Sequence, residues 1–258
     1  IKNAIVKSYS HKGDKIVKMN FDAVDSTLAN LQKVDYPKQI TSTRGLRPMM
    51  TGDADPFVRE VLGKILAGEG DGLPVSAFPL DGTFPTGTTQ FEKRGIADFV
   101  PVWDGEDLCT QCNKCVAICP HAAIRSKVVL NGQLEDAPGT FKAVPAKGRP
   151  FDSNLESYIL QVSPEDCTGC DLCVAVCPAE SKEIENFKAI NMHSKHEVAA
   201  AQGQNWDYFT ELPYYDRSEL QITNLKGSQF LEPLFEFSGA CSGCGETPYI
   251  KMLTQLFG

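Results

Sequence analysis

Eight of the ten cysteines in this 258-residue chain fall into two runs with identical spacing. Each run has three cysteines separated by two residues, then a fourth cysteine three residues later, directly before a proline. The runs are Cys109, Cys112, Cys115, Cys119 with Pro120, and Cys167, Cys170, Cys173, Cys177 with Pro178. Three thiolates within seven residues can wrap three corners of one compact inorganic cluster, and amides of the tight loop can offset its negative charge. This repeat is therefore the strongest constraint on the fold.

The spacing is that of a bacterial ferredoxin module, in which cysteine thiolates hold two [4Fe–4S] clusters. The fourth cysteine of each run turns away and reaches the other cluster, so the expected ligand sets are crossed. The predicted sets are Cys109, Cys112, Cys115 and Cys177 for one cluster, and Cys167, Cys170, Cys173 and Cys119 for the other. Zinc gives no reason for a third and fourth cysteine before proline. Disulfides within such a tight loop would be strained.

Short β-type segments flank each cysteine run and complete two similar units. They precede the runs at 99–103 and 158–162, and follow them at 124–129 and 189–192. Two units of strand, cluster loop, helix and strand form the pseudo-twofold pattern expected of such a module. We therefore predict an α+β fold: a two-[4Fe–4S] bacterial ferredoxin-like domain, with an insertion at 131–156 between its halves.

Helical and irregular connecting segments are predicted on both sides of this domain. Apolar residues at helical spacing predict an amphipathic helix over 15–33. Asp55, followed by proline, predicts the start of a second helix that ends at Gly68. The glycine-rich and proline-rich residues 68–95 predict an irregular strap. Helix resumes after the domain, and a last helix begins after Pro248 and continues its apolar pattern to the chain end, which is typical of a fragment.

Composition excludes several classes of function. The formal net charge is −8 and there is no basic run, so nucleic-acid binding is not expected. The longest apolar stretches are far short of a membrane span. The chain begins with Ile1 and has no leader, so either a segment has been removed or the chain is an internal piece of something longer. Ten cysteines without a signal peptide predict a reducing, cytoplasmic location.

The last two cysteines, Cys241 and Cys244, form a single Cys-x2-Cys in a glycine-rich turn before a helix. The spacing alone is compatible with a thioredoxin-like redox pair, half of a zinc site or half of a third cluster site. None of the four histidines has metal-site spacing to the pair. His121, which follows Cys119 and a proline, is expected to pack or hydrogen-bond rather than ligate.

Several segments beyond the cysteine runs resemble pyruvate:ferredoxin (or flavodoxin) oxidoreductase, a large thiamine-diphosphate enzyme. Together with the two cysteine runs, these segments are LPVSAFP at 73–79, GTFPTGT at 82–88, HAAIR at 121–125, KGSQF at 226–230 and FSGACSGCGETPY at 237–249. The resemblance extends over nearly all of the chain.

The resemblance implies an organisation in four parts. Residues 1–40 would be the tail of a preceding, coenzyme A-associated domain, and 41–98 a connecting segment. Residues 99–228 would be the two-cluster domain with its flanks, and 229–258 the start of the thiamine-diphosphate domain. The resemblance also implies that Cys241 and Cys244 are two of four ligands of a third [4Fe–4S] cluster. In the family the other two cysteines, the thiamine-binding motif and the Mg²⁺ ligands lie further along the chain.

The function implied is the electron-transfer portion of a pyruvate oxidoreductase. In the parent enzyme pyruvate and coenzyme A give acetyl-coenzyme A and CO2, and electrons pass from the thiamine site through the [4Fe–4S] clusters to ferredoxin or flavodoxin. These 258 residues are not expected to decarboxylate on their own, and the family implies a homodimer of full-length chains. Two other hypotheses are a self-standing two-cluster electron carrier and a cysteine-rich zinc scaffold.

Overall fold

The computed structural model describes residues 1–43, 50 and 54–258, and the chain divides into two compact units, Ile1–Arg47 and Pro48–Gly258. The first unit contains helices α1 (Lys2–Tyr9) and α2 (Asp14–Ala29), and neither has a buried residue. Helix α2 confirms the helix predicted over 15–33 but ends earlier, whereas α1 was not predicted. The four-part organisation stays a prediction.

The second helix predicted from the sequence opens the second unit. The Asp55 carboxylate accepts a hydrogen bond of 2.8 Å from the amide of Phe57, as an N-cap residue does. The helix runs through a π-helical turn (Val58–Leu62) into α3 (Gly63–Leu66). Gly68, at φ +78°, ends it in the left-handed region that glycine adopts most readily. The part of the connecting segment that precedes this helix, from residue 41, lies mostly outside the described residues.

The strap predicted over 68–95 is irregular, as expected. It contains only short 3-10 turns, at Gly70–Gly72, Val75–Ala77 and Thr88–Phe91. Its last residues pack against the cysteine-rich part of the chain, as described below.

The cysteine-rich part has the predicted α+β architecture. Strand β1 (Phe99–Val102) pairs antiparallel with β5 (Asn191–Ser194), and β2 (Ile124–Leu130) pairs antiparallel with β4 (Glu156–Val162). Each half therefore gives one strand to each pairing, as a pseudo-twofold module requires. Helices α4 (Lys114–Ile118) and α5 (Leu172–Val176) follow the cysteine loops of the two halves.

The insertion between the halves packs on the first cysteine loop. Its strand β3 (Val144–Pro145) extends the sheet by pairing with β4. The Gln111 side chain, in the first cysteine loop, donates to the Pro145 carbonyl at 2.8 Å and accepts from the Lys147 amide at 2.7 Å. The insertion thus fixes the backbone of this loop, a role that its composition did not reveal.

Three helices complete the fold: α6 (Lys195–Glu211), α7 (Leu225–Ser228) and α8 (Thr247–Phe257). Helix α6 packs Trp206 and Phe209 against Ile159 of β4 in a buried cluster. A second buried cluster, which includes Trp103 and Tyr158, contains Cys173 and packs against five other cysteines of the two runs. Within the described residues, no helix is both long enough and apolar enough to cross a membrane.

Candidate iron–sulfur centres

The first cavity of interest is lined by four cysteines, Cys109, Cys112, Cys115 and Cys177. Burial raises the pKa of Cys115, and the charges of the other three thiols raise it further. Thiols that are this close together and shielded from water are costly to ionise without a cation between them. We call this space the first cavity.

The second cavity is lined by Cys119, Cys167, Cys170 and Cys173. The pKa of Cys167 is raised to about 12, and burial is the largest cause. The charges of Cys119 and Cys170 raise this pKa further, whereas the hydrogen bond from the amide of Gly169 opposes the rise. The electrostatic situation is therefore the same as in the first cavity.

Each cavity combines three cysteines of one run with the fourth cysteine of the other run. The backbone explains the exchange. Both short helices end immediately before the fourth cysteine, which is extended, with φ −62° and ψ 118° at Cys119 and φ −65° and ψ 120° at Cys177. The chain therefore turns away from its own loop at that point. The structure brings together the crossed sets predicted from the sequence, and their ligation of iron stays a prediction.

The two cysteine loops share an unusual backbone. Gln111 and Asn113 in the first loop, and Gly169 and Asp171 in the second, all have φ between +56° and +67°. These left-handed residues turn amides inward: those of Gln111 and Gly169 approach the sulfurs of Cys109 and Cys167, each at 3.4 Å. Glycine is favoured at position 169, because its φ is +67° and an added Cβ would lie 3.0 Å from the Phe99 carbonyl oxygen.

Each cavity also has a buried donor that bonds to no oxygen or nitrogen of the described residues. In the first cavity it is the indole N–H of Trp103, which lies toward the Cys109 thiol and lowers the pKa of that thiol, and in the second it is the hydroxyl of Thr168. Nε2 of His121 in the second cavity is also unpaired within the described part of the chain. Buried polar groups are almost always paired, so an unpaired donor in a cavity wall indicates a missing acceptor. Anionic sulfurs of a cluster are such acceptors.

The arrangement of the thiols fits a cluster of several atoms. A tetrahedral zinc ion requires its ligands to converge within about 2.3 Å of one point. Among the described residues, no three His, Cys, Asp or Glu side chains converge in a way that could hold a single metal ion. The thiols surround a space instead, and the donors of Trp103 and Thr168 face that space from the cavity walls.

The remaining pair, Cys241 and Cys244, lies beside the second cavity. The Ser242 hydroxyl donates to the Thr168 carbonyl at 3.3 Å, and a Cβ added to Gly243 would lie 3.7 Å from the Cβ of Cys170. Unlike the buried thiols, Cys244 has a lowered pKa, because backbone amides at the start of α8 donate to it. The pair can therefore supply a thiolate next to the second cavity.

His121 connects the second cavity with the segment that leads to this pair. Its side chain is buried, lines the cavity and makes a 3.1 Å hydrogen bond through Nδ1 to the carbonyl of Ser238. Its own carbonyl accepts from the amide of Phe237 at 2.9 Å. These contacts agree with the expectation that His121 packs and hydrogen-bonds.

Two lysines near the cavities were not predicted. Lys251 of α8 is fully buried and donates to the carbonyls of Val116, Ala117 and Cys119 at the end of α4. Lys188 donates to the carbonyl of Val174 in α5 at 2.9 Å. The only signal in the sequence was a lysine inside the apolar pattern of the last helix.

The families that this chain matches agree with a two-cluster site. Residues 108–181 match the 4Fe-4S dicluster domain family, and residues 43–97 match a domain of unknown function named EKR. The whole chain is 53% identical to 22% of the pyruvate-flavodoxin oxidoreductase of Nostoc sp.. It is 49% identical to the pyruvate-flavodoxin oxidoreductase of Rhodospirillum rubrum and 45% identical to the pyruvate:ferredoxin oxidoreductase of Moorella thermoacetica, in each case over 21% of the relative.

The chain is homologous over its full length to a segment of these oxidoreductases. The resemblance inferred from its motifs is therefore confirmed over the full 258 residues. The chain spans only about a fifth of the length of these relatives, 21–22%. The activity of the full-length relatives is therefore only proposed for this chain.

Proposed function

We propose that this chain is the electron-transfer portion of a pyruvate:ferredoxin or pyruvate:flavodoxin oxidoreductase. The observation that carries the proposal is the pair of cavities, each surrounded by four thiols drawn from both cysteine runs. The homology to a segment of these enzymes, together with the dicluster family match, supports it.

Clusters of the [4Fe–4S] type, held by the eight thiolates, would supply one-electron transfer at each cavity. The chain's own residues contribute ligands, hydrogen bonds and burial, which are the means by which a protein tunes such centres. The amides of Gln111 and Gly169 and the donors of Trp103 and Thr168 are placed to stabilise negative charge on sulfur. The apolar walls exclude water.

The position of Cys241 and Cys244 suggests the order in which electrons would pass through the two cavities. The pair lies against the loop of the second cavity, whereas the first cavity is covered by the insertion. We assign the pair as two ligands of a third [4Fe–4S] cluster, whose other ligands, like the thiamine diphosphate and Mg²⁺ sites, would belong to a longer parent protein. Electrons would then arrive at the second cavity and leave from the first.

The surroundings of the first cavity favour an acidic acceptor. The chain as a whole is acidic, yet Lys114 lines this cavity and is exposed. Lys147 is also exposed and donates to the Cys109 carbonyl at 2.9 Å, and Lys226 donates to the Lys147 carbonyl at 2.5 Å. No described carboxylate makes an ion pair with these three lysines. A small acidic electron carrier such as ferredoxin or flavodoxin fits this surface.

In the parent enzyme, pyruvate and coenzyme A would give acetyl-coenzyme A, CO2, a proton and two electrons. The electrons would be passed one at a time to the acceptor, in the cytoplasm, by a homodimer of full-length chains. Decarboxylation is not assigned to any residue of this chain. The self-standing electron carrier remains the alternative, because the two cavities alone would serve that function equally well.

Metal analysis and EPR of anaerobically purified protein test the proposal. We expect about eight irons per chain for two clusters, and EPR signals in the reduced state that are split by coupling between neighbouring clusters. Zinc without iron would refute the proposal in favour of a zinc scaffold. Reduction of an acidic ferredoxin by the reduced chain, slowed by salt and by Lys147→Glu, tests the acceptor surface. Rates insensitive to both changes would place the acceptor elsewhere.

A further inference from the structure

The end of the irregular strap, residues 89–95, lies within the match to a domain of unknown function and joins two parts of the site. On one side it contacts the residues just before Cys167. Lys93 pairs with Asp166 at 2.6 Å, and this carboxylate, whose side chain is 1% exposed, also accepts from Ser163. The amide of Gly95 donates to the Glu165 carbonyl at 2.9 Å.

On its other side the strap holds the segment before Cys241. The guanidinium of Arg94 donates to the carbonyls of Phe237 and Ser238 at 3.2 and 3.0 Å. The hydroxyl of Thr89 donates to the Glu236 carbonyl at 3.0 Å. Three consecutive carbonyls are therefore bound by two side chains of the strap. The ammonium of Lys93 also lies 5.0 Å from the centre of the Phe237 ring.

The segment that the strap holds has little structure of its own. Residues 229–246 contain no helix or strand. Phe237 has φ +46°, a conformation that costs free energy in a residue other than glycine and persists only where surrounding contacts impose it. The same residues have other anchors: the Phe237 ring packs against Trp206, the Glu236 carboxylate pairs with Arg125, and His121 contacts the backbone of Ser238 and Phe237. Among the described residues, the strap alone binds the carbonyls of Glu236 and Phe237, and it shares that of Ser238 with His121. The position of the following cysteine loop therefore depends on these contacts.

We propose that residues 89–95 act as a clamp that fixes the Cys241–Cys244 loop against the second cavity. Lys93 anchors the clamp beside Cys167, and Arg94 and Thr89 hold the backbone that leads to Cys241. Its importance for electron transfer rests on the proposed function, because transfer between two centres falls steeply as their separation grows. The structural role of the clamp depends only on contacts within this chain. Arg94 and Thr89 are positioning residues, since neither touches a cavity thiol.

Hydrogen–deuterium exchange of the iron-loaded chain tests the clamp directly. The double variant Thr89→Val/Arg94→Met removes the donors of all three carbonyl contacts but leaves the Lys93–Asp166 pair intact. We expect exchange of amides in 237–244 to rise about tenfold, with no change in β2 and β4. The matched control is Lys142→Gln, which breaks the half-buried pair between Lys142 and Glu106 at 2.7 Å. This control should leave 237–244 unchanged.

Unchanged exchange in 237–244, or an equal rise throughout the chain, would overturn the clamp. If the double variant does not fold, Thr89→Val alone removes a single hydrogen bond, and a rise confined to 237–244 is still required. Iron content of the unmodified chain tests the proposed function separately. In a longer protein that contains all ligands of the third cluster, the double variant should also weaken the EPR coupling between that cluster and its neighbour, whereas Lys142→Gln should not.

Discussion

The two cysteine loops have the same internal geometry but different surroundings. Their first cysteines are 58 residues apart (167 − 109), and the left-handed residues Gln111 and Gly169 occupy equivalent positions at the same separation. Each loop receives one amide from such a residue on its first sulfur. The cysteine spacing thus specifies the local fold of both loops, because equal spacing with equal backbone turns presents the thiols in the same way.

What differs is the part of the chain that covers each loop. The insertion fixes the first loop through Gln111, while the clamp and the Cys241–Cys244 loop lie against the second. The second loop also has little room for a side chain at Gly169, whereas the first loop carries at the equivalent position a glutamine that bonds to the insertion. The second cavity therefore adjoins the third cysteine pair, whereas the first cavity adjoins the surface that carries Lys114, Lys147 and Lys226.

The largest effect, a loss of iron, is expected from replacing the fourth cysteine of either run. Cys119→Ala should remove the cluster of the second cavity, so that iron falls from about eight to about four per chain. Cys177→Ala should remove the cluster of the first cavity instead. The physical reason is that each of these cysteines lies in the cavity of the opposite run. Metal analysis gives the amount, and EPR of the reduced variants identifies which signal survives.

Comparison with loop variants decides whether the ligand sets are crossed. If Cys119→Ala leaves the signal that Cys170→Ala removes, then Cys119 serves its own loop and the crossing is wrong. Serine at the same positions is a milder control, because its oxygen can replace a thiolate in some clusters. The same pattern of loss for Cys119→Ala and Cys170→Ala would support the crossed sets.

The sequence predicted the parts of this comparison that depend on local spacing. The strands, the two cavities and their crossed cysteines follow from the repeat, because short loops leave the backbone few alternatives. It did not predict which cavity adjoins Cys241, since that depends on contacts such as Ser242 with Thr168, 74 residues apart. Nor did it predict the packing of the insertion or helix α1, because no local pattern specifies them.

The two short helices show a second contrast. In each, a lysine ammonium binds the carbonyl of the valine that follows the third cysteine, at Val116 in α4 and at Val174 in α5. Lys188, in the cysteine-rich part itself, serves α5, whereas Lys251 reaches α4 from the last helix. Lys251 is also fully buried and makes no described ion pair with a carboxylate. Burial lowers the pKa of Lys251 to about 8, and negative charge at Cys119 and Cys115 raises it, so thiolate-held clusters would favour the charged form of this lysine.

A smaller effect is therefore expected from Lys251→Gln and Lys188→Gln. Losing a positive charge should shift the reduction potential of the nearby clusters to more negative values, because reduction adds negative charge there. The shift should be larger for Lys251→Gln, since burial reduces solvent screening. The free energy of unfolding should also fall by about 2 kcal/mol for Lys251→Gln, through loss of charged hydrogen bonds. Redox titration followed by EPR measures the potentials, and equal potentials in both variants and the unmodified protein would contradict a charge effect.

The smallest effects should come from the unpaired donors, one in each cavity. Thr168→Val keeps the shape of the side chain but removes the hydroxyl that has no partner in the protein. Without iron, this change should be neutral or raise the free energy of unfolding by up to about 1 kcal/mol, because an unsatisfied buried group is removed. With iron, it should shift only the potential of the second cavity to a more negative value, while Trp103→Phe should shift only that of the first. Denaturant unfolding of the iron-free chain gives the sign of the change in unfolding free energy, and redox titration of the iron-loaded chain gives the sign of the change in potential. A shift of both potentials by either variant would show that the donors do not act on separate clusters.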